Sequence, residues 1–355
     1  MTTQTAMTTR ESTWTPALTD VATKFVSVVI PCYNEERFIL KALEQLIDQY
    51  DNNRYEIIVV DGMSKDRTRE LVAQFKEAHL DIRVTLVDNP ARNIPTALNL
   101  GVAAASGEII ARMDAHAVPS PGYVHRCVEV LEQNEEAGVV GMPCHVLPGA
   151  NTLMAQAIAS GVSHPFGIGD ATYRLKAGAA PQESVDTVAF ACFRKSLWQD
   201  LGGFNETLLT NEDYDFNYRV RTSGLKVLLD RSGHCDYFAR TDLGELATQY
   251  RRYGGWKARM VRLHPASIKL RHLVAPVFVL SLVVLTLLSI IWYPFALLLA
   301  LEVGLYTVLA LFFAWQIKSR TGGRMAMILI MPLVFITIHL SWGASFLIGL
   351  VHQPK

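Results

Sequence analysis

Cysteine pairs are missing from this chain. Its five cysteines, Cys32, Cys127, Cys144, Cys192 and Cys235, lie far apart and never as CxxC. That spacing excludes a disulfide framework and a zinc ribbon, and it fits a reduced compartment. An excess of one sign of charge is missing too. Lys+Arg and Asp+Glu are both 33 among 355 residues, so nothing in the balance points to nucleic acid as a partner. There is no GxGxxG and no GxxxxGK[ST], which leaves out a dinucleotide fingerprint and a P-loop. Residues 1–24 have neither a basic start nor an apolar core. They read as a disordered polar N-terminal tail and not as a signal peptide. Charge is nearly absent at the other end, where residues 273–355 carry only Glu302, Lys318, Arg320, Arg324 and Lys355.

That last stretch divides into three apolar runs, 273–291, 295–317 and 325–351. Each reaches the ~20 residues that cross a bilayer core, and buried helices of a soluble domain would show a polar stripe instead. Residues 273–351 therefore read as three transmembrane helices. Seven basic residues fall between Arg251 and Arg271, and the loop after the second run holds Lys318, Arg320 and Arg324. The loop after the first run holds no charge. Positive loops stay in the cytoplasm, so the front of the chain is expected there, with a multi-pass tail in the inner (plasma) membrane and the C-terminus outside. Glu302 is expected near a helix end or facing a neighbouring helix, and not in a transport role. Residues 241–272 read as a basic amphipathic segment at the bilayer surface. Tyr253, Trp256 and Met260 alternate there with Arg259 and Arg262, a pattern suited to lipid head groups.

Residues 25–240 have the composition of a soluble domain. Short apolar, β-branched runs at 25–31 (FVSVVIP), 55–61 (YEIIVVD), 82–87 and 108–114 (EIIARMD) alternate with helical spacings at 36–50, 64–80 and 95–105. Strand and helix alternating four times predict an α/β domain with a mostly parallel, Rossmann-like sheet and helices on both faces. Ligands of such sheets bind beyond the carboxyl ends of the strands. Three polar clusters fall at those ends: Pro31-Cys32-Tyr33-Asn34-Glu35, Asp61-Gly62-Met63-Ser64 and Asp114-Ala115-His116. Asp114 and His116 can turn toward one divalent cation. Farther on, Glu212, Asp213 and Asp215 crowd three carboxylates into four residues, at the start of a helix whose dipole favours the ionised form. An ionised carboxylate at a cleft is a suitable general base, though a plain acidic cap fits the same residues. Gln249 and Arg252 follow in QYRRY, and arginine suits a diphosphate by its fork geometry.

Taken together these segments resemble the family 2 glycosyltransferases of the GT-A fold. The resemblance rests on VSVVIPCYNEE (26–36), EIIVVDGMSKDRT (56–68), ALNLGVAAASGEIIARMDAH (97–116), LGGFNETLLTNEDYDFNYRV (201–220) and QYRRY (249–253). The DAH version, with HPFGIGDATYR (164–174) and VDTVAF (185–190), is most similar to the succinoglycan-biosynthesis type, which extends lipid-linked exopolysaccharide repeats and also ends in membrane spans. The resemblance implies a nucleotide-facing loop at Pro31, Tyr33 and Glu35, a base-contacting acid at Asp61, usually for uracil, and a ribose- and metal-proximal acid at Asp114. It implies a metal ligand at His116, in place of the usual second acid, and a catalytic base at Asp213. Gln249 and Arg252 match QxxRW, with Tyr253 in place of its Trp. A divalent metal, Mg2+ or Mn2+, is the implied cofactor. The implied reaction is inverting transfer from a nucleotide sugar, a UDP-sugar for preference, to a lipid-linked glycan in exopolysaccharide or surface-glycan synthesis. A polyprenyl-phosphate sugar synthase, a processive synthase and an inactive membrane scaffold are the alternatives. His234 stands near the place where many relatives carry a further metal-binding histidine.

Overall fold

The computed structural model describes residues 24–51, 54–175 and 180–352. The expected N-terminal tail lies outside the described residues, apart from Lys24. Strand β1 (Val26–Cys32) leads through a short helix α1 (Ile39–Glu44) to β2 (Tyr55–Asp61). Helix α2 (Thr68–Ala78), β3 (Arg83–Asp88), α3 (Ile94–Ala104) and β4 (Ile109–Arg112) complete the expected alternation. Helix α1 is shorter than the 36–50 spacing suggested. Turns follow it, and Asp48 takes φ 63°, a left-handed conformation that ends helical winding.

The chain continues through β5 (Val118–Pro119), α4 (Tyr123–Gln133), β6 (Ala137–Gly141), β7 (Cys144–Leu147), α5 (Leu153–Gly161) and α6 (Pro165–Ile168). Then come β8 (Gln182–Ser184), β9 (Cys192–Arg194), α7 (Lys195–Asp200), α8 (Glu212–Thr222), β10 (Lys226–Asp230) and β11 (Cys235–Phe238). The main sheet runs β3-β2-β1-β4-β9-β6-β10-β8. Strands β3, β2, β1 and β4 are parallel, β9 is antiparallel to both neighbours, and β6 and β10 are again parallel. A second sheet, β5-β11-β7, stands beside it. Every residue of β2 is buried, as expected of a strand covered on both faces. All five cysteines are buried and unpaired.

Four more helices finish the chain: α9 (Leu243–Leu263), α10 (Arg271–Ser289), α11 (Pro294–Thr321) and α12 (Met327–Val351). The last three are long and apolar enough to cross a membrane. Val277, Leu298, Leu301 and Leu329 stand exposed on them, as lipid-facing side chains do. Glu302 accepts a hydrogen bond from Ser281 of α10, so it does face a neighbouring helix.

The basic segment differs from its amphipathic reading. Trp256 and Met260 turn inward and pack on Leu208 and Tyr214 of the catalytic domain; they are not lipid-facing. Helix α9 also lies against α12 through small residues. A Cβ at Gly254 would stand 2.3 Å from the Trp342 carbonyl oxygen, and one at Gly349 2.9 Å from the Ala258 Cβ. Nearer the start of α12, Met331, Val334 and Phe335 share one apolar cluster with Val146, Ala157 and Ile158. Helix α12 is thus built against β7, α5 and α9 and is no detachable element.

Candidate active site

The loops after β1 and β2 are tied together at the carboxyl edge of the sheet. Gly62 N donates to Cys32 O at 2.8 Å, Asn34 N to Ser64 Oγ at 2.8 Å and Lys65 N to Asn34 Oδ1 at 2.9 Å. Asn34 and Met63 both take positive φ to close these turns. Asp61 ends β2 fully buried. Its carboxylate accepts from Ser64 N at 3.0 Å and from Arg69 Nη1 at 2.8 Å, so protein donors already meet it. Pro31 sits in β1 and Tyr33 is exposed beside Gly62. These three border the site without lining its main cavity.

That cavity has a volume of about 730 Å³ and is lined by Asp114, His116, Asp213, Gln249 and Arg252 among others. Residues from strand ends, a helix start and α9, far apart in sequence, therefore meet around one space. Glu35 reaches it indirectly: its Oε1 lies 3.2 Å from His116 Nδ1. A carboxylate can only accept, so Nδ1 carries a proton, and in the neutral ring the lone pair is on Nε2. The same hydrogen bond raises the His116 pKa above the ordinary imidazole value.

Asp114 and His116 offer a carboxylate and an imidazole to the cavity. Among the described residues they form no closed set with a third histidine, cysteine or acid. Two protein ligands with open positions fit a hard divalent cation shared with phosphate oxygens and water. His234 belongs elsewhere. It stands with His145 and Asp236 on the second sheet, outside the cavity lining. Asp236 Oδ1 bridges the two rings, 2.8 Å from His145 Nδ1 and 3.5 Å from His234 Nε2.

The crowded acids of α8 are separated by their partners. Glu212 pairs with Arg112 at 3.1 Å. Asp215 is held by Arg219 at 2.8 Å and His264 at 2.9 Å. Asp213 alone of the three has no ion pair among the described residues; it accepts only from Tyr214 N, at 2.7 Å. Burial lifts the Glu212 carboxyl above its ordinary range, with Arg112 opposing.

Several lining residues were not singled out in the sequence. Arg112 also reaches Asp114 Oδ1 at 3.4 Å, so one guanidinium joins the strand-end acid to the helix-start acid. A charged residue inside the buried run EIIARMD was the available signal, because such a residue needs a partner. Gln249 Nε2 donates to Tyr237 Oη at 2.9 Å and Tyr253 Oη at 3.1 Å, fixing two phenols on the cavity wall. Arg174, Arg240 and Arg271 add positive charge, and Lys257 adds a buried amine. Beyond them the lining turns apolar and passes between the long apolar helices at Val274, Ala275, Phe278, Tyr306 and Trp342.

Residues 27–201 match the family described as glycosyl transferase family 2. The succinoglycan biosynthesis protein ExoA of Rhizobium meliloti is 28% identical over 90% of this chain and 93% of its own. A Methanococcus voltae protein named dolichyl N-acetyl-alpha-D-glucosaminyl phosphate 3-beta-D-2,3-diacetamido-2,3-dideoxy-beta-D-glucuronosyltransferase is 26% identical over 67% of this chain and 74% of its own. Among solved structures, a mannosyltransferase of Pyrobaculum calidifontis, in complex with GDP-Man and Mn2+, covers 90% of this chain and 87% of its own, at TM-score 0.61 and 20% identity. With the mostly parallel sheet, these matches identify the chain as a glycosyltransferase with a GT-A-like fold, whose residues 27–201 form a glycosyl transferase family 2 domain and whose last three helices are long and apolar enough to cross a membrane.

Proposed function

We propose that this enzyme moves a sugar, with inversion, from a nucleotide-sugar donor to a hydroxyl of a lipid-linked saccharide at the cytoplasmic face of the plasma membrane. The observation that carries this reading is the single cavity. It joins Asp114, His116 and Asp213 to an apolar stretch between helices of membrane-crossing length. A water-soluble acceptor would have no use for that second half. The names of two relatives, one for succinoglycan biosynthesis and one for transfer onto a dolichyl-linked sugar phosphate, support it.

The donor's nucleotide lies in this reading over the joined loops of Pro31, Tyr33, Glu35 and Asp61, and a UDP-sugar is the donor that the Asp61 position implies. Asp114 and His116 would hold a divalent cation, Mg2+ or Mn2+, which when bound neutralises charge on the diphosphate leaving group. Glu35 fixes the imidazole tautomer that leaves Nε2 free. Arg112 holds Asp114 and Glu212 apart from Asp213, leaving Asp213 the free carboxylate. Asp213 removes the proton of the acceptor hydroxyl, and that oxygen attacks the anomeric carbon from the face opposite the nucleotide. Arg252 draws on the departing diphosphate, and Gln249 keeps Tyr237 and Tyr253 in place.

The test is Asp213→Asn in the full chain. Transfer to lipid-linked oligosaccharide falls by about 10²–10⁴, while nucleotide affinity stays within a factor of about three. A variant with more than about half the wild-type rate overturns the assignment. Activity on polyprenyl phosphate in place of lipid-linked saccharide would instead make the enzyme a polyprenyl-phosphate sugar synthase.

A further inference from the structure

Lys257 is buried, with 4% of its surface exposed, and it lines the cavity. Its Nζ has no hydrogen-bond partner among the described residues. The amine rests instead on the face of Tyr214, 3.2 Å from the ring centroid. An amine so placed forgoes most of its hydration without gaining an anion, which is costly unless a ligand supplies one. The other charges nearby are already engaged. Arg271 is held by Asp170 at 2.7 Å and by Asp186. Asp186 also receives the Tyr214 hydroxyl at 3.2 Å. Lys257 is therefore the amine of this part of the wall left open to an anion.

Its position is as telling as its burial. Tyr214, on which it rests, directly follows Asp213. Arg271 and His272 stand beside it at the start of α10. From there the lining becomes Val274, Ala275, Phe278, Tyr306 and Trp342. Going outward from Asp213, a bound molecule meets a site for a sugar, then a buried amine, then an apolar passage between helices of membrane-crossing length. The matching ligand has an anionic phosphate between a sugar and a long hydrocarbon chain.

We propose that Lys257 binds the phosphate of the acceptor lipid, a polyprenyl phosphate or diphosphate whose first sugar lies at Asp213 and whose chain leaves along α10 and α12. This rests on the lipid-linked acceptor reading above and assigns the subsite that reading lacks. Burial supports it, since it pushes the Lys257 amine down to about 6 in the absence of an anion, and a phosphate restores the charged form.

Binding separates this inference from the transfer reaction. Farnesyl diphosphate is titrated into the full chain in detergent, with Lys257→Met, Lys257→Arg and farnesol as comparisons. Wild type binds the diphosphate at least about 10-fold more tightly than farnesol, and Lys257→Met loses about 10–100-fold in diphosphate affinity. Lys257→Arg stays within about 3-fold of wild type, and farnesol and nucleotide bind all three proteins alike. Equal binding of diphosphate by wild type and Lys257→Met overturns the proposal. So does equal binding of farnesol and farnesyl diphosphate by wild type, a comparison that needs no variant to fold. Displacement of farnesyl diphosphate by dioleoyl phosphatidic acid at equal affinity would make the site a general phospholipid site and would also overturn it. None of these readouts needs sugar transfer. If transfer to lipid-linked saccharide fails while diphosphate binding holds, the reaction is at fault and the subsite stands.

Discussion

Arg112 is the residue on which the electrostatics of the site turn, and Arg112→Met tests that directly. The side chain is 9% exposed and pairs with Glu212, itself 6% exposed, and with Asp114, 25% exposed. Methionine keeps most of the volume, so the loss is one of charge and not of packing. Two carboxylates are left without their cation, one of them deep in the wall. Breaking a buried pair from one side costs about 3–5 kcal/mol, because the remaining charge stays desolvated. At about 2–4 °C per kcal/mol for a domain of this size, the melting temperature falls by about 6–20 °C. The double variant Arg112→Met with Glu212→Gln removes the deeper stranded charge and recovers more than half of that loss. Thermal melting of the full chain in one detergent measures both. A drop under about 3 °C for the single variant, or a double variant no better than the single, refutes the claim that the pair is desolvated and interdependent.

Two further predictions use the same preparation. Gly254→Ala puts a Cβ 2.3 Å from a backbone oxygen of α12, so it lowers stability by about 1–3 kcal/mol; Gly304→Ala, with nothing within 4 Å, is neutral or stabilising by up to about 1 kcal/mol. Equal melting temperatures for the two would show that α9 and α12 are not in close contact. Binding of farnesyl diphosphate at pH 7.5 takes up about one proton, because Lys257, pushed to about 6 by burial, Arg271 and Arg221 against Asp186 and Asp213, starts neutral and ends charged beside the anion. Calorimetry in buffers of different ionisation enthalpy reads this uptake, Lys257→Met shows none, and a wild-type enthalpy independent of buffer would mean that the amine was charged from the start.

The part of the fold most legible in the sequence is the part built from parallel strands. Buried on both faces, β1 and β2 must be mostly apolar, and runs such as YEIIVVD cannot be mistaken for loops. The other half of the sheet depends on β6, β8, β9 and β10, each of three to five residues. Such segments are too short for a period to show, and only tertiary pairing makes them strands. The membrane helices are legible by length, but what they touch is not. An apolar stripe on α9 suits lipid and protein equally, so Trp256 and Met260 could not be placed from periodicity. The discriminating sign was the Gly254-Gly255 pair beside them, since adjacent glycines in a helix cost stability unless another backbone comes close.

The same stripe held a more specific sign. Leu246, Tyr250, Lys257 and Met260 follow helical spacing along one face of α9, and the structure buries all four. Three suit a core; the lysine does not. Lysine on a face that must be buried is almost never fully covered unless paired, so its presence there foretells an anion or a ligand. The motif residues at strand ends locate the catalytic half of the cavity because chemistry restricts their type. Its other half is marked only by a residue type that conflicts with its surroundings. Arg112 inside a buried strand is the same kind of sign, and there the structure provides the partners, Asp114 and Glu212. For Lys257 the protein provides an aromatic face and leaves the anion to come from outside.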